Sequence, residues 1–291
     1  MLSLDAGLTV MAIPNRFCYH ASMIPTPLDT PEIQVAHQAA LAAGKVLQRY
    51  FGTDFQIRGK QSYNLVSDAD LEAERAIVAA IRTAFPHHAI LSEEEHSQTE
   101  LTEHTWVIDP LDGTNNFAHQ IPQFGVSIAY LHHGSPAAGV VYDPVRDEWY
   151  LAARGQGAFH NESPIGVANH ERLDQTMVGV GFYYDRGAMM EGTLLAIRDL
   201  FRQNIHGIRR FGAASIDLCW VADGKFGAFF EFELSPWDYA AAMLVVQEAG
   251  GQISTCRGEP LRMARSSVLA SNGKLHQIVR QTIEPHLPAS C

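Results

Sequence analysis

Two acidic side chains lie three positions apart near the middle of the chain, in the order Asp109, Pro110, Leu111, Asp112. Proline is favoured at the second position of a β-turn, and such a turn brings its first and fourth Cα atoms within about 7 Å. The carboxylates of Asp109 and Asp112 could therefore face one site, with the Leu111 carbonyl beside them. Mg²⁺ binds oxygen ligands of this kind at about 2.0–2.1 Å. The spacing predicts a Mg²⁺ site, although an isolated turn with two acids also has a purely structural explanation.

A glycine and a threonine follow this pair directly. Gly113 allows a close backbone approach, and the sequence from Thr114 to Phe117 is typical of a helix start. Backbone N–H groups at the start of a helix attract anions because they are unsatisfied donors at the positive end of the helix dipole. A phosphate group bound there would lie beside the predicted metal. The segment therefore suggests metal-assisted attack on a phosphate ester.

Three more acidic residues stand at the ends of other predicted elements. Glu93 follows a short apolar strand, Asp238 falls in the first turn of a helix that begins at Ser235 and Pro236, and Asp70 begins the second helix. Each has an ordinary explanation, either a solvated loop or a negative charge that the helix dipole stabilises by about 0.3–1 kcal/mol. These residues become informative only as a set.

Taken together and in this order, the segments resemble the inositol monophosphatase family of the Mg²⁺-dependent, lithium-sensitive phosphatase superfamily. The family pattern W-x-I-D-P-[LI]-D-G-T-x-N-F is matched at residues 106–117, and P-W-D-x-A-A-G…E-A-G-G at residues 236–251 with one departure. Residues 66–70 match a V-[TS]-x-x-D element, and residues 212–219 resemble the helix G-[ST]-A-A-x-[DN]-x-C. The resemblance covers roughly residues 31–280. It implies hydrolysis of a small phosphate monoester.

The resemblance also implies a fold. That fold is of the α/β class, a five-layered α-β-α-β-α sandwich, usually assembled as a homodimer. Residues 29–291 are expected to form one domain with two subregions, about 29–165 with the metal ligands and the first motif, and about 166–291 with the substrate wall and the second motif. Residues 1–28 are a predicted N-terminal extension that need not be ordered.

The metal ligands follow from the resemblance, residue by residue. Glu93, Asp109 and the Leu111 carbonyl would hold a first Mg²⁺. Asp109 would bridge to a second ion bound by Asp112 and Asp238. Two or three Mg²⁺ ions per site are implied, the third being weakly bound near Glu93.

Catalytic roles are implied for three residues. Glu93 and the Thr114 hydroxyl would orient a metal-activated water for in-line attack on phosphorus, and Asp70 would reach the third ion through water. In such a mechanism the first metal lowers the pKa of the attacking water. The resemblance implies no covalent intermediate.

The substrate contacts implied by the resemblance come from both halves of the chain. The N–H groups of Gly113 and Thr114 would neutralise phosphoryl oxygens, while Asp112, the Ala214 backbone and Glu231 would meet the substrate hydroxyls. From the residues alone, Glu231 could equally be a surface acid at a strand edge.

Five positions depart from the family pattern. Ser92 stands where the family has Gly before its acidic pair, and Ala242 replaces Gly in the second motif. Ser215 replaces an Ala, Ala213 a Ser or Thr, and Tyr183 a Pro. None removes a predicted metal ligand. The changes at positions 213 and 183 lie near the expected substrate rim and weaken the inference to inositol.

A small phosphorylated polyol such as inositol monophosphate is the leading substrate, because residues 115–117 read Asn-Asn-Phe where the nucleotide-hydrolysing branch usually has Lys-Glu. Alternatives are histidinol phosphate, 3′-phosphoadenosine 5′-phosphate, NADP and fructose 1,6-bisphosphate. A hypothesis from a different class is a non-enzymatic role in a transcription-antitermination assembly, as some bacterial relatives of the family have. The intact set of predicted ligands favours catalysis.

Composition limits the partners and the compartment. The net charge of −11 argues against direct nucleic-acid binding, which needs clustered Lys and Arg. No apolar run approaches the roughly 20 residues that cross a bilayer, so no membrane association is expected. Four scattered cysteines favour reduced thiols in a cytoplasmic protein. The adjacent pairs at positions 87–88 and 132–133 are interpreted as solvated loop histidines.

Overall fold

A computed structural model of the protein describes residues 24–25, 28–52, 57–61, 64–182 and 184–288, with the backbone alone for 57–61 and 64–67. Most of the predicted N-terminal extension lies outside the described residues, and so does Tyr183. Leu28, the last residue assigned to that extension, is fully buried. The packed core therefore begins at the edge of the predicted domain.

The described chain contains seven α-helices and fourteen strands, with six strands in succession from β5 to β10. The helices are α1 (Pro31–Tyr50), α2 (Asp68–Ala84), α3 (Thr114–Ala118), α4 (Ala188–Arg202), α5 (Ala214–Ala222), α6 (Pro236–Glu248) and α7 (His276–Ile283). The strands are β1 (Ile57–Gln61), β2 (Asn64–Ser67), β3 (Ala89–Ser92), β4 (His104–Asp112), β5 (Gly125–His132), β6 (Ser135–Asp143), β7 (Glu148–Ala153), β8 (Ala158–His160), β9 (Ser163–Ile165), β10 (Met177–Val180), β11 (Gly207–Arg209), β12 (Ala228–Leu234), β13 (Gln252–Ser254) and β14 (Ser266–Ser271).

The strands form two large sheets and one small hairpin. Strands β3 to β9 make a seven-stranded sheet in sequence order, in which β3 and β4 are parallel and the other neighbours antiparallel. The second sheet has the order β11-β10-β12-β14-β13, with β10 parallel to both of its neighbours. β1 and β2 pair only with each other.

The helices separate these sheets into layers. α1 and α2 pack on each other and on one face of the seven-stranded sheet, while α5 and α6 lie between that sheet and the five-stranded one. α4 and α7 cover the outer face of the five-stranded sheet. The order is α-β-α-β-α, which confirms the predicted five-layered sandwich.

Local sequence explains where the first helix begins and which face it buries. Thr30 caps α1, its hydroxyl oxygen accepting from the Ile33 N–H at 3.3 Å, and proline follows at the first helical position. Proline suits that position because its missing N–H would be unsatisfied there anyway. The buried face of α1 consists mostly of alanines spaced three and four apart, which lets the helix approach the sheet closely.

The chain passes from one sheet to the other between Ile165 and Met177. The predicted subregion boundary near residue 165 falls at this crossing, but α5 and α6 contact both sheets. The division into subregions therefore stays a prediction. None of the described helices combines the length and apolar composition that crossing a membrane requires.

Candidate active site

The parallel pairing of β3 and β4 brings together acids that are distant in sequence. Ser92, the last residue of β3, is in register with Ile108 of β4. The next residue of each strand is acidic, so Glu93 and Asp109 emerge side by side at one edge of the sheet. A short strand followed by acids was the sequence signal in both places.

The acidic segment itself is part of β4 rather than the predicted β-turn. From Asp109 to Asp112 the strand advances three residues while its partner β5 advances only from Ser127 to Gly125, which is a bulge with one extra residue. Pro110 is tolerated there because a bulge leaves positions outside the hydrogen-bonded ladder. The Leu111 N–H donates to Asp109 Oδ1 at 3.0 Å. The bulge keeps both carboxylates at the same strand end.

Gly113 links β4 to α3 in a conformation that other residues avoid. Its φ is 97°, in the left-handed region, and a Cβ there would lie 3.1 Å from the Gln123 carbonyl and 3.2 Å from that of Gly212. Both the dihedral angle and the space therefore require glycine. Thr114 begins α3 as predicted, and its hydroxyl donates to the Leu111 carbonyl at 3.1 Å.

Asp238 lies in the first turn of α6, the helix that the sequence predicts to begin at Ser235 and Pro236. Ser235 caps α6 and Pro236 takes its first position. The Asp238 carboxylate reaches back to accept from the Ser235 N–H at 2.7 Å, completing a capping box. The cap fixes Asp238 in the first helical turn, with its second oxygen left for other partners.

Asp112 reaches the start of another helix. Its Oδ1 accepts from the Ala214 N–H at 3.1 Å, and its Oδ2 accepts from the Ser215 N–H at 2.7 Å and from the Ser215 hydroxyl. Residue 213, the cap position of α5, is alanine and offers no side-chain acceptor. Asp112 therefore caps α5 from across the interface between the sheets. The Ala214 N–H, predicted to contact substrate, donates to Asp112 here.

These groups surround one cavity of about 820 Å³. The predicted residues that line it are Glu93, Asp109, Leu111, Asp112, Gly113, Thr114, Ala214, Glu231 and Asp238. Asp70 does not line the cavity, but it is buried near enough for its charge to raise the pKa of Asp109. The fold thus gathers the predicted site at one place, with Asp70 behind it.

The carboxylates strongly perturb one another. Burial raises the pKa of Asp109 well above its usual value, and the charges of Glu93, Asp112 and Asp238 raise it further. The pKa of Asp238 is also well above its usual value, chiefly through burial and then through Glu93 and Asp112. Burial raises the pKa of Asp112 too, against the hydrogen bonds from Ser215 and Ala214. Such a cluster needs protons or cations to offset its charge.

The donor set fits hard cations. Carboxylates and a carbonyl are oxygen ligands of the kind that Mg²⁺ binds, and Mg²⁺ usually keeps several waters in its shell. No three carboxylates among the described residues bring their oxygens within 4.8 Å of one another around this cavity. Three of these carboxylates could therefore bind one ion only if their side chains moved closer together.

Glu231, on β12, also lines the cavity. A Cβ built on Gly181 would lie 1.7 Å from its Oε2, so only glycine leaves room for this side chain. Burial, followed by the charge of Asp112, raises the pKa of Glu231 to about 8, although Arg210 opposes the shift. The residue is 8% exposed, which excludes the interpretation as a surface acid.

Three residues of the site were missed or misjudged from sequence. Glu74 of α2 is fully buried and accepts from the Ser92 hydroxyl and the N–H groups of Glu94 and Glu95, which holds the loop that carries Glu93. Arg210 lines the cavity as a cation among acids. Asp217 also lines it, and its buried Oδ1 has no hydrogen-bond partner among the described residues.

Comparison with known proteins identifies the family. The profile described as the Inositol monophosphatase family matches residues 29–287. The chain belongs to the inositol monophosphatase family. As a member of this family it is a phosphoric monoester hydrolase. The matched residues include both motifs, at residues 106–117 and 236–251.

Relatives and a solved structure agree with this membership. The chain is 40% identical over 260 residues to the "Putative Nus factor SuhB" of Neisseria meningitidis, covering 88% of this chain and 99% of the relative. It is 39% identical over 261 residues to the "Inositol-1-monophosphatase" of Synechocystis sp., covering 89% and 90%. The crystal structure of the extragenic suppressor protein suhB from Bartonella henselae superposes with a TM-score of 0.81 at 36% identity, covering 86% of this chain and 97% of that one.

Proposed function

We propose that this protein hydrolyses inositol monophosphate to inositol and phosphate in a Mg²⁺-dependent reaction. The observation that carries the proposal is the convergence of Glu93, Asp109, Asp112 and Asp238 on one cavity beside the Leu111 carbonyl and Thr114. These acids come from two strand ends and one helix start, and the charges of Glu93 and Asp112 raise the pKa values of Asp109 and Asp238. Such a concentration of negative charge is costly without a cation, which points to a metal site rather than to structure alone.

The chain's own residues would hold the ions. Glu93, Asp109 and the Leu111 carbonyl are proposed as ligands of one Mg²⁺, and Asp109, Asp112 and Asp238 as ligands of a second. When bound, Mg²⁺ would polarise the phosphoryl oxygens and lower the pKa of a bound water. A third ion reached by Asp70 through water is part of the proposal.

Thr114 and Glu93 would orient the attacking water. The Thr114 hydroxyl donates a hydrogen bond to the Leu111 carbonyl, so its oxygen can accept a hydrogen bond from a water in the cavity. Glu93 would accept a second hydrogen bond from that water. Fixing both protons leaves a lone pair of the water directed at phosphorus, and such positioning lowers the barrier substantially.

Polar groups on the far wall suit a substrate with several hydroxyls. Glu231 and Asp217 both line the cavity as buried acids, and Arg210 lies between acidic neighbours. Carboxylates accept hydrogen bonds from vicinal hydroxyls, and a wall of this kind disfavours a flat nucleobase that offers an apolar face. The Ala214 N–H is already used by Asp112, so Glu231 carries more of the hydroxyl recognition than Ala214 does.

The proposal is tested by Mg²⁺-dependent phosphate release from inositol monophosphate, histidinol phosphate, 3′-phosphoadenosine 5′-phosphate, NADP and fructose 1,6-bisphosphate. Inositol monophosphate should be turned over fastest, and millimolar Li⁺ should inhibit. Asp109→Asn and Asp238→Asn should each lower kcat/KM by more than about 100-fold, since even outer-shell substitutions at metal sites cost about 10–100-fold. Asp174→Asn, at a surface ion pair with Arg172, is the control. No turnover of any ester, or turnover untouched by both site substitutions, contradicts the proposal.

A second candidate is a role as a Nus factor, supported by the 40% identity to the Neisseria relative of that name. The net charge of −11 favours a protein partner over RNA. Capture of RNA polymerase components by wild type and equally by Asp109→Asn would support binding that is independent of catalysis. Absence of capture from an extract of the native host would exclude it. A cytoplasmic homodimer is the proposed context for either role.

A further inference from the structure

A second group of metal-binding side chains lies at the far end of β4 from the cavity. Glu103 precedes the strand and His104 is its first residue, while His132 ends β5 and His133 begins the turn after it. Asp109 is five residues further along β4, about 17 Å away at 3.3 Å per residue. The group is therefore separate from the carboxylate cavity.

The backbone fixes the relative positions of these four residues. His104 and His132 are directly paired across the antiparallel strands, which places their Cβ atoms about 4.5–5.5 Å apart. The His133 N–H donates to the Glu103 carbonyl at 2.8 Å. Two strands and a turn therefore deliver the side chains to one place before any ion binds.

The turn holds His133 in an unusual conformation. His132 pairs with Ser135, so His133 and Gly134 form a two-residue hairpin loop with φ values of 51° and 72°. Positive φ at both central positions is the mark of a type I′ turn, which favours Asn or Gly at the first of them. Histidine is an uncommon choice at such a position, and here the turn directs its ring towards Glu103.

The distances from Glu103 to the three imidazoles are close to those between the ligands of a tetrahedral ion. Glu103 Oε1 lies 3.8 Å from His104 Nε2, 3.8 Å from His132 Nε2 and 3.5 Å from His133 Nε2. Ligand atoms of Glu103, His104 and His132 all lie within 4.8 Å of one another. Zn²⁺ bonds of about 2.0–2.2 Å in a tetrahedron separate ligands by about 3.3–3.6 Å. His133 is not part of that mutual group of three, so its side chain would have to turn further inwards than the others to complete the tetrahedron.

An outer partner orients one of the imidazoles. His104 Nδ1 lies 2.7 Å from the Tyr130 hydroxyl, which leaves Nε2 directed at Glu103. Ligand histidines are commonly fixed in this way by a hydrogen bond to their other ring nitrogen. The His88 ring stacks on His104 with centroids 4.7 Å apart and limits its rotation further.

Ordinary surface pairing does not explain the arrangement. Glu103 is 59% exposed, and an ion pair so exposed contributes little to stability. Three imidazole nitrogens around one carboxylate oxygen are more than such a pair needs. His133 is an exposed residue of the hairpin turn, as the interpretation of solvated loop histidines expected, whereas His132 lies at the end of β5 rather than in a loop.

We propose that Glu103, His104, His132 and His133 form a binding site for a divalent transition-metal ion of the class that prefers imidazole, with Zn²⁺ as its representative. The nitrogen donors distinguish it from the cavity, whose oxygen donors suit Mg²⁺. An ion bound there would join the start of β4 to the β5–β6 hairpin. The exposed ligands allow direct entry from solvent.

The test is equilibrium dialysis of the full chain against micromolar Zn²⁺ in excess Mg²⁺, which occupies oxygen sites. The wild type should bind one more Zn²⁺ per chain than the double variant His104→Ala/His132→Ala, and Glu103→Gln should bind more weakly. Tyr130→Phe should weaken binding about tenfold because it frees the His104 ring. His206→Ala, at an exposed histidine elsewhere, should bind as the wild type does.

Circular dichroism establishes that the variants are folded, and X-ray absorption at the zinc edge identifies the ligands. Imidazole scattering in the wild type at one equivalent of Zn²⁺ supports the site. Equal Zn²⁺ binding by the wild type and the double variant would overturn it, as would a wild-type spectrum with oxygen ligands alone.

Discussion

The Ser215 hydroxyl donates a hydrogen bond to Asp112 Oδ2 at an oxygen–oxygen distance of 2.5 Å, joining positions 103 residues apart. The same carboxylate oxygen accepts from the Ser215 N–H. The family pattern that residues 212–219 resemble has alanine where Ser215 stands. The Ser215 hydroxyl is therefore an additional donor to a predicted metal ligand. Its hydrogen bond lowers the pKa of Asp112, whereas burial raises that pKa.

We expect Ser215→Ala to raise the Mg²⁺ concentration needed for half-maximal activity by about tenfold, the low end of the cost of losing an outer partner at a metal site. Saturating Mg²⁺ should restore most of kcat, because the ligand itself is intact. The measurement is initial rate against Mg²⁺ concentration. Ser163→Ala, at an exposed strand residue, serves as the control. An unchanged Mg²⁺ requirement would show that the hydroxyl has no role in holding Asp112.

Ser92 is a second position at which a departure from the family pattern supplies a hydroxyl donor to a buried acid. It replaces a family glycine, and its hydroxyl donates to Glu74 Oε1 at 2.7 Å. Glu74 also accepts from the N–H groups of Glu94 and Glu95, both at 2.9 Å. Two of the five departures from the family pattern thus add hydroxyl donors to buried acids, one to the predicted ligand Asp112 and one to Glu74, which holds the loop of Glu93.

Glu74→Gln should lower the free energy of unfolding by about 1–3 kcal/mol, because the amide nitrogen would face N–H donors and leave a buried donor unsatisfied. The Mg²⁺ requirement should rise as well, since the loop that carries Glu93 loses its anchor. Glu72→Gln on the same helix, where an exposed ion pair with Arg49 is lost, should cost at most about 1 kcal/mol. Urea unfolding of both variants measures the difference. Equal losses would exclude a special role for Glu74.

Much of the candidate site could be predicted from the sequence because the predicted site residues lie at the ends of strands and the starts of helices. Proline at helix starts, capping serines and apolar runs before acids all act locally, so α1, α6 and β3 could be placed from their own residues. Short strands such as β8 and β11 carry no apolar run of their own and were not predicted. The contacts of Glu74 and Asp112 were also not predictable, because they depend on packing between residues 18 or more positions apart.

Gly181→Ala should disturb substrate recognition while leaving the backbone unstrained. The added Cβ would lie 1.7 Å from Glu231 Oε2, so the carboxylate must turn away from its place in the cavity wall. We expect KM for inositol monophosphate to rise about tenfold, the equivalent of one lost hydrogen bond to a charged group, with a smaller change in kcat. Gly166→Ala, whose Cβ would meet nothing closer than 3.8 Å, is the control. A fall in kcat alone would place Glu231 in the chemical step instead.

Removal of Mg²⁺ should make stability depend on pH in a defined direction. Burial raises the pKa of Glu231 from 4.5 to about 8 in the folded protein, and the pKa values of Asp109 and Asp238 are also raised. A raised folded-state pKa means that the folded protein binds protons more tightly than the unfolded chain does. Its contribution to stability is complete below pH 4.5 and is lost as the pH rises towards about 8.

In EDTA, therefore, the free energy of unfolding of the wild type should fall between pH 5 and pH 8. The fall should be smaller for Glu231→Gln, which has no ionisable group at that position. At pH 8, a Mg²⁺ concentration of about 100 times the Kd should add about 2.7 kcal/mol, because the ion binds the folded state alone. The same Mg²⁺ concentration should add less at pH 5, since the cation binds the ionised carboxylates. Asp109→Asn should abolish most of this increment. Chemical denaturation at the two pH values, with and without Mg²⁺, measures all of these quantities, and a Mg²⁺ increment that is equal at both would contradict a site built from these carboxylates.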